Sequence, residues 1–522
     1  MKKIIFLLMV LVCFTLVSCN KTDTPDDSNN NNTSTNKPNG APEKYNPTDT
    51  LVSFSDENED KVITEATFDI TQFTNDGSED IMVNSLFSEG MCLQRDAINR
   101  IYGKAGMTKN IAIEINGGVY YGTIDGFNWE VYLPKMNAGG PYDMTIISEA
   151  GRVTIKDIYI GEVFLLSGQS NMEWTMANCE DVLEEYYATN DCVNNEIRLL
   201  NMGFTMSATP TDQALNIVSW QGAESSSIES FSAVGYLFGK QMHEELDCPV
   251  GLILSAIGGS SMEFWLNEEN YNKVCEVYTP VDDGQYYMDP CHGYNGLLYP
   301  LRGLNVRGVL WYQGESNAWG TQDYYDYALE VFIDQCREMF NNEQLTFTIC
   351  ELARFEGWPY PMDYSIINEK INLVATKDPY VVVARNLDQG EWNNIHPKDK
   401  REIARRAAYE TLRVFFKLNK PAPVTVTDYS FNEDGSVTIT LSCDAKLVNG
   451  TNSFEVYIDG VYTYDCNVTI DKNVLTVTAT GEITKVRYGY DCPHTDAVKE
   501  DVSKFVTVYD NNGFPLDLFE IF

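Results

Sequence analysis

Residues 163–172 read Val-Phe-Leu-Leu-Ser-Gly-Gln-Ser-Asn-Met, an apolar run that ends in a short turn carrying Ser170. Longer stretches with helical spacing separate this run from four further apolar runs, at residues 250–254, 306–311, 346–350 and 380–383. Strands that alternate with helices predict an α/β domain over residues 158–420, whose parallel sheet is flanked by helices. Ligands of such sheets bind beyond the carboxyl ends of the strands, so functional side chains are expected directly after each run.

The regions on either side of this domain have a different periodicity. Residues 80–157 contain short runs of alternating apolar and polar residues, broken by turns at 116–118 and 138–141. Residues 421–522 return to short alternating runs. Period-two patterns with frequent turns predict a β-sandwich-like domain in each region.

The first residues have the layout of an export signal. Lys2 and Lys3 precede an apolar run from residue 4 to residue 17, and Cys19 follows at the expected cleavage point. This layout resembles a bacterial lipobox, which implies that residues 1–19 are a signal peptide and that Cys19 becomes lipidated. We therefore expect an exported lipoprotein of the bacterial outer membrane or cell surface, with the periplasm as the alternative, that contacts the membrane only through this lipid. Residues 20–79 are predicted to form a disordered acidic tether and N-terminal extension, because their first thirty residues have almost no apolar content.

The charge of the chain limits its partners. The chain contains 76 Asp and Glu against 37 Lys and Arg, a formal net charge of -39, so repulsion excludes nucleic acid and anionic lipid surfaces. There is no C-x-x-C motif and no His pair at helical spacing, so no metal site and no cofactor are predicted. Cys179 with Cys192, and Cys275 with Cys291, are close enough in sequence to be candidate disulfides of an exported protein.

Three of the loops that follow predicted strands carry groups suited to nucleophilic catalysis. Ser170 lies on a strand-to-helix turn that exposes its hydroxyl. The loop after residue 255 contains Gly258 and Gly259, whose amides can approach a reacting carbonyl closely. The loop after residue 311 contains Gln313 and Asn317, which have side-chain N–H donors.

A serine hydrolase needs a histidine as its base, and this chain has only four. His243 falls inside a predicted helix, His292 lies in a Cys-His-Gly loop, and His494 belongs to the C-terminal β region. Only His396 follows the last predicted strand of the central sheet. We therefore predict that Ser170 and His396 form the catalytic pair.

Four motifs in one order along the chain carry a resemblance to a known family: Gly-Gln-Ser-Asn-Met at 168–172, Gly-Gly-Ser-Ser-x-Glu-x-Trp at 258–265, Trp-Tyr-Gln-Gly-Glu-Ser-Asn at 311–317 and Ile-His-Pro-x-x-Lys at 395–400. They are similar to motifs of the sialate O-acetylesterase family, which belongs to the SGNH (GDSL-like) hydrolases. The likeness extends over residues 80–522. It implies an SGNH-hydrolase-like fold and a carboxylic ester hydrolase, with Ser170 as nucleophile and His396 as general base and later acid.

The resemblance also implies which residues bind the oxyanion and the substrate. The oxyanion donors would be the amide of Ser170, an amide of Gly258 or Gly259, and the side chain of Gln313 or Asn317. The residues expected to shape the substrate pocket are Asn171, Glu263, Trp265, Trp311, Glu315 and Arg354.

The loop that carries the histidine departs from the family pattern. Family members have Asp two residues before the histidine, where this chain has Asn394, and other SGNH enzymes have Asp three residues before it, where this chain has Asn393. Glu391 or Asp388 could approach the imidazole instead, or a backbone carbonyl could orient it in a Ser–His dyad. A weakly active enzyme is the third alternative, because Asn cannot stabilise an imidazolium as a carboxylate does.

These features predict a serine esterase that removes O-acetyl groups from carbohydrates, with an O-acetylated sugar or glycan as its partner. O-acetylated sialic acid is the favoured substrate. The alternatives are an acetylated polysaccharide such as xylan, or a non-catalytic glycan-binding lipoprotein. A sialic acid carries a carboxylate, so in this acidic protein it would need a local cation such as Arg354 or Arg385, whereas neutral xylan would need none.

Overall fold

The structure is a computed structural model that describes residues 53–74, 81–179, 181–184, 194–278, 288–355, 364–448, 453–490 and 496–522. These residues belong to one compact unit, Lys44–Phe522. The predicted signal peptide, Cys19 and most of the predicted tether lie outside the described residues.

The N-terminal β domain is built from nine strands: β1 (Ile81–Val83), β2 (Cys92–Gln94), β3 (Asn99–Ala105), β4 (Ile111–Ile115), β5 (Gly118–Tyr121), β6 (Thr123–Asp125), β7 (Asn128–Leu133), β8 (Gly139–Ser148) and β9 (Gly151–Gly168). One antiparallel sheet has the order β1-β3-β7-β6, while β5, β4 and β8 lead in that order onto β9. Apolar side chains of both layers, such as Ile101, Ile113 and Trp129, are buried in a common core. The region therefore has two β layers.

Strand β9 connects this domain to the central sheet. It is 18 residues long, pairs antiparallel with β8 in its first half, and pairs in parallel with central strands in its second half. Its residues from 158 onward are buried throughout, as expected where both faces of a sheet are covered. The predicted domain boundary between residues 157 and 158 therefore falls inside one continuous strand.

The central sheet adds six strands: β10 (Asn194–Asn201), β11 (Val218–Ala223), β12 (Val250–Ala256), β13 (Gly308–Tyr312), β14 (Thr346–Cys350) and β15 (Val381–Ala384). Their order is β11-β10-β12-β9-β13-β14-β15, and all neighbours are parallel except the edge strand β11, which is antiparallel to β10. The predicted α/β class is confirmed. The sheet as a whole is mixed rather than parallel, because strands of the β domain join it through β9 and bring it to eleven strands.

The strand order reverses at β9. From β9 the chain reaches β12 on one side and later β13 on the other, and such a reversal opens a crevice at the carboxyl ends of the strands. The turn out of β9 is tight, since a Cβ at Gly168 would lie 2.1 Å from the carbonyl oxygen of Tyr312. Glycine at this position lets the chain turn directly into Ser170.

Helices follow the strands: α1 (Ser170–Glu173), α2 (Ser225–Glu229), α3 (Ala233–Leu246), α4 (Met262–Trp265), α5 (Glu268–Val277), α6 (Tyr325–Met339), α7 (Tyr364–Lys377), α8 (Arg401–Val414) and, near the C-terminus, α9 (Asp496–Glu500). α3 packs against α8, and α6 packs against α7. As their spacing predicts, Val234, Phe238 and Met242 are buried in α3. Within the described ranges, no helix has the length and apolarity that a membrane span requires.

The C-terminal β domain has ten strands: β16 (Val426–Phe431), β17 (Val437–Leu441), β18 (Ala445–Leu447), β19 (Phe454–Ile458), β20 (Val461–Thr463), β21 (Cys466–Asp471), β22 (Val474–Ala479), β23 (Lys485–Tyr488), β24 (Val508–Asp510) and β25 (Phe519–Ile521). Two four-stranded sheets, β16-β17-β22-β21 and β20-β19-β23-β25, share a core separate from that of the rest of the chain. Ile439 and Val477 come from one sheet, and Phe454 and Val486 from the other.

Part of the predicted disordered extension is ordered. Phe54 is buried, Ile63 forms a β-bridge with Tyr121, and Arg152 Nε donates to the carbonyl of Phe73 at 2.7 Å. The prediction of disorder does not hold for residues 53–74, because this part, unlike residues 20–50, has apolar side chains to bury.

One candidate disulfide is absent from the structure. Cys275 and Cys291 are both free thiols. The other candidate cannot be compared, because Cys192 lies outside the described residues.

A buried ion cluster joins the β domain to the central sheet. Glu162, in β9, accepts from Arg95 Nε and from Arg307 Nε at 2.7 Å each, and from Gln94 Nε2 at 2.8 Å. Glu162 is fully buried, which opposes its charge, yet the two guanidinium groups lower its pKa to about 2. The cluster ties β9 to the end of β2 and to the residue before β13, at the opposite end of the central strands from the crevice.

Candidate active site

Four loops meet at the carboxyl edge of the central sheet and form a cavity of about 390 Å³. They follow β9, β12, β13 and β15. The residues that line the cavity are Gln169, Ser170, Gly258, Gly259, Glu315, Ser316, Trp319, Ile395 and His396. A second cavity, of about 460 Å³, lies on the β domain beside Arg100 and Arg302, and none of the predicted catalytic groups lines it.

Ser170 and His396 form a close pair. Ser170 is the first residue of α1, directly after β9, and its Oγ lies 2.8 Å from His396 Nε2. The imidazole ring stacks on the indole of Trp174, with centroids 4.3 Å apart and an interplanar angle of 18°. The stacking orients the imidazole, so that Nε2 is within proton-transfer distance of the hydroxyl.

The surroundings of the imidazole keep it neutral. Burial, and secondly the positive charge of Lys400, lower the pKa of His396 to about 4. Lys400 is fully buried, and its Nζ donates to Asn171 Oδ1 at 2.6 Å. Burial lowers the pKa of Lys400 to about 8, so it still carries a charge at neutral pH. A neutral imidazole can accept the proton of the Ser170 hydroxyl.

The structure does not bring either predicted triad acid to the imidazole. Asp388 accepts two hydrogen bonds from Arg406, at 2.5 and 2.9 Å, and one from the Tyr509 hydroxyl. Glu391 accepts from Asn394 Nδ2 at 3.1 Å and from the Lys398 amide at 2.7 Å. Both carboxylates are thus used to hold loops and domains together.

The imidazole atom that would face an acid, Nδ1 of His396, makes no hydrogen bond to any residue that the structure describes. Asn394 holds the backbone of His396 instead, since its Nδ2 donates to the His396 carbonyl at 2.7 Å and its Oδ1 accepts from the His396 amide at 3.1 Å. Asn393 is exposed. The geometry is that of a Ser–His dyad.

Two of the predicted oxyanion donors are consumed inside the protein. Gln313 Nε2 donates to Gln169 Oε1, to the Ser260 carbonyl and to Asn317 Oδ1, at 2.8 to 3.1 Å. Asn317 Nδ2 donates to Thr321 and Glu263. Both side chains are fully buried. They hold the loop after β13 rather than facing Ser170.

The three backbone amides predicted to bind the oxyanion differ in whether they already donate a hydrogen bond within the protein. The amide of Gly258 donates to Glu173 Oε2 at 2.7 Å. The amides of Gly259 and Ser170, by contrast, donate to no other group in the described part of the chain. Gly259 has φ +77°, a conformation that favours glycine and turns its backbone into the cavity wall.

Gln169 is a cavity residue that the sequence analysis missed. Its Oε1 accepts from the amides of Gly314 and Ser316, at 3.2 Å each, and from Gln313. Because backbone amides can only donate, these bonds fix the orientation of the carboxamide. Its Nε2 donates to none of the described residues, and Gln169 lines the cavity. The available signal was its position, directly before Ser170.

The floor of the cavity is a buried polar chain. Asn171 Nδ2 donates to Glu315 Oε1 at 2.6 Å and to the Ile395 carbonyl at 3.0 Å, so it links the loops after β9, β13 and β15. Burial raises the pKa of Glu315, whose Oε2 has no hydrogen-bond partner among the described residues. Glu315 therefore lines the cavity, whereas Asn171 is buried and is not part of the lining.

The central part of the chain also matches a known family. The model of the family described as "carbohydrate esterase, sialic acid-specific acetylesterase" matches residues 160–411, which contain the second half of β9, the strands β10 to β15 and all four loops. The match covers a little under half of the chain, and over this part the chain is similar to that family. The family is one of carboxylic ester hydrolases.

Individual relatives extend the comparison. Sialate O-acetylesterases of Pongo abelii and Homo sapiens are each 26% identical over 317 residues, which covers 53% of this chain and 58% of the relative. The chain thus spans less than two thirds of the length of these relatives. A solved structure of a carbohydrate acetylesterase from Xanthomonas citri, 24% identical, covers 85% of this chain and 99% of its own with a TM-score of 0.75. The fold is therefore shared over most of the chain.

Other predicted pocket residues lie outside the cavity. Trp265 and Trp311 are fully buried with ring centroids 6.1 Å apart, and Trp265 Nε1 donates to Ser260 Oγ. Glu263 is buried and accepts from the Tyr324 hydroxyl at 2.8 Å. These three side chains support the loops from below, so the prediction that they shape the pocket directly does not hold.

Arg354, predicted as a pocket residue, lies elsewhere as well. It is buried, donates to the Gly489 carbonyl at 2.8 Å, and its guanidinium lies 4.1 Å from the ring centroid of Phe505. It joins the central domain to the C-terminal domain. The cavity is lined instead by Trp319, which is 49% exposed. The sequence analysis did not select this residue.

Proposed function

We propose that this protein is a serine esterase that hydrolyses O-acetyl esters on carbohydrates. The observation that carries the proposal is the distance of 2.8 Å between Ser170 Oγ and His396 Nε2, at the wall of an open cavity. The similarity of residues 160–411 to a carbohydrate esterase family supports acetyl esters as the bonds that are cleaved.

In the proposed reaction His396 Nε2 takes the hydroxyl proton as Ser170 Oγ attacks the acetyl carbon. The imidazolium then gives this proton to the departing sugar oxygen, which leaves acetylated Ser170. Water attacks the acetyl group with His396 again as base, and acetate is released. The low pKa of His396, together with the absence of an acid at Nδ1 within the described residues, makes imidazolium formation costly. Turnover is therefore expected to be slower than in a complete triad.

The oxyanion of the tetrahedral intermediate would be bound by three N–H groups. We assign these to the amides of Ser170 and Gly259 and to Nε2 of Gln169, because the N–H groups of Gly258, Gln313 and Asn317 are engaged elsewhere. Each such donor contributes on the order of a hundredfold to turnover.

Two classes of acetylated carbohydrate are candidates for the substrate. The names of the mammalian relatives support O-acetylated sialic acid, while the alternative is an acetylated polysaccharide. We further propose an exported lipoprotein of the outer membrane or cell surface, anchored through Cys19. Radiolabelled palmitate should be incorporated into the native chain in cells and not into Cys19→Ser.

The test of the proposed activity is acetate release from 4-nitrophenyl acetate and from acetylated sugars. Ser170→Ala and His396→Ala should each lower kcat at least a thousandfold. The matched control is His243→Ala, since His243 lies on α3 and contacts the Cys248 carbonyl rather than the cavity. Equal rates for the native protein and Ser170→Ala would exclude serine catalysis and support the alternative, a non-catalytic glycan-binding protein.

A further inference from the structure

The cavity around Ser170 contains no positively charged side chain that could pair with an anionic substrate. The lining includes no Lys and no Arg among the described residues. Arg385, the second cation considered for a sialate, forms ion pairs with Glu351 and with Asp517. Arg354 contacts the C-terminal domain. Within the part of the chain that the structure describes, neither arginine supplies the cation that an anionic sugar would need in this acidic protein.

Two lysines near His396 in sequence do not change this picture. Lys400 is fully buried beneath the site, and its amine is bound to Asn171. Lys398 is exposed and is not part of the cavity lining. The seven internal stretches between the described ranges contain no Lys and no Arg, whereas they do contain acidic residues.

Acidic groups adjoin the nucleophile instead. The exposed carboxylate of Glu173 accepts the Gly258 amide at 2.7 Å. A Cβ placed on Gly258 would lie 3.1 Å from Glu173 Oε2 and 3.3 Å from Ser170 Cβ. Both side chains therefore lie close to Gly258. Glu315 is among the residues that line the cavity. A substrate carboxylate bound here would face like charge.

The cavity also has a feature that suits an uncharged sugar ring. Trp319 lines it with an indole that is 49% exposed, in a core where Trp265 and Trp311 are fully buried. The C–H face of a pyranose is apolar and packs on an aromatic ring, while its hydroxyls can donate to a carboxylate such as that of Glu173.

Resting on the proposed esterase function, we infer that the site accepts uncharged O-acetylated sugars and discriminates against sialic acids. The basis is the conjunction of Glu173 and Glu315 beside Ser170, the exposed Trp319, and the lack of any cation in the described lining. Whichever hydroxyl of a sialic acid carries the acetyl group, its carboxylate stays within about one Debye length, roughly 10 Å, of that group. Repulsion at this range lowers kcat/KM by about tenfold to a hundredfold.

A matched pair of substrates tests the inference: an O-acetylated sialic acid and its C1 methyl ester, which lacks the negative charge and differs otherwise only by one methyl group. Release of acetate should be at least tenfold more efficient from the methyl ester and from acetylated xylo-oligosaccharide than from the free acid. The difference should shrink in about 0.5 M salt, since screening weakens repulsion but not a steric clash. Equal or faster release from the free acid would overturn the inference.

Two variants locate the origin of the discrimination. Glu173→Gln keeps an acceptor for the Gly258 amide and should lower the ratio of kcat/KM for the methyl ester to kcat/KM for the free acid. An unchanged ratio would contradict the role of Glu173. Lys398→Ala should leave the ratio unchanged, whereas a selective loss of sialate turnover would reveal a cation subsite and overturn the inference. Failure to release acetate from any substrate, 4-nitrophenyl acetate included, would instead refute the proposed esterase function.

Discussion

Replacing Lys400 with Met should move the acid limit of activity to higher pH. Below its pKa, His396 is protonated and cannot act as a base, so kcat/KM of the native protein should fall on acidification with a midpoint of about 4. Lys400 is a buried cation that disfavours the imidazolium. Its removal therefore raises the pKa of His396, and the activity is lost at a higher pH than in the native protein.

The size of this effect follows from the two causes of the lowered pKa. The ordinary value for histidine is 6.5, and the value here is about 4, with burial as the larger cause and Lys400 as the second. Lys400 thus accounts for less than half of the difference. A unit charge acting over roughly 10 Å at an effective dielectric constant of about 20 changes the pKa by about 1, which lies within this limit. We expect the midpoint to rise from about 4 to about 5.

The assay is the pH dependence of kcat/KM for acetate release, measured where circular dichroism shows the variant to be folded. Lys400→Arg keeps the charge and should keep a midpoint near 4, and Lys398→Met, which removes an exposed charge of the same loop, should leave it unchanged within about 0.2. The imidazole signal of His396 can also be titrated by NMR in Ser170→Ala, since the chain has only four histidines. A native midpoint near 6.5, or a Lys400→Met midpoint at or below the native one, would refute the reasoning.

Three other expectations follow from the geometry. Gln169→Glu, which retains an acceptor for the loop amides but loses the N–H donor, should lower kcat about a hundredfold at neutral pH with little change in melting temperature. Part of that loss should return on acidification, where the new carboxyl can donate; a kcat equal to that of the native protein would exclude Gln169 as an oxyanion donor. Asp388→Asn and Glu391→Gln should each change kcat less than tenfold, because neither carboxylate is hydrogen-bonded to His396, whereas a loss near 10⁴ would identify a triad acid. Glu162→Gln should lower the free energy of unfolding by about 3 to 5 kcal/mol in urea titrations, because it leaves buried guanidinium groups without their counter-charge. Since the pKa of Glu162 is lowered to about 2, its stabilising contribution should be complete above its ordinary pKa of 4.5 and should disappear as the pH falls toward 2; no dependence of the stability difference on pH over this range would contradict this.

Much of the chain could be interpreted from local patterns alone. The apolar runs correspond to β9, β12, β13, β14 and β15, because strands buried on both faces are apolar at every position. The rule that ligands bind beyond the carboxyl ends of parallel strands placed Ser170 and His396 at one edge, 226 residues apart in sequence and 2.8 Å apart in space.

The roles of neighbouring polar residues could not be predicted in the same way. Gln169, Gln313 and Asn317 all carry carboxamides in the motif loops, and no sequence pattern tells which N–H faces the cavity. The direction of each N–H depends on which acceptors lie around the carboxamide after folding. In the structure, the N–H groups of Gln313 and Asn317 donate to acceptors inside the protein. The same limit explains why Asp388 was considered for His396 although it pairs with Arg406 on α8.

The amino-acid sequence by itself determined the alternation of strands and helices, the order of the four loops and the chemical type of the nucleophile and base, because periodicity and motif spacing are local properties of the chain. Only the tertiary structure decided which donors point at Ser170, where Arg354 and Arg385 go, and which charges surround the substrate. The physical reason is that hydrogen bonds and electrostatic fields depend on distances between residues that are far apart in sequence, and folding alone sets those distances.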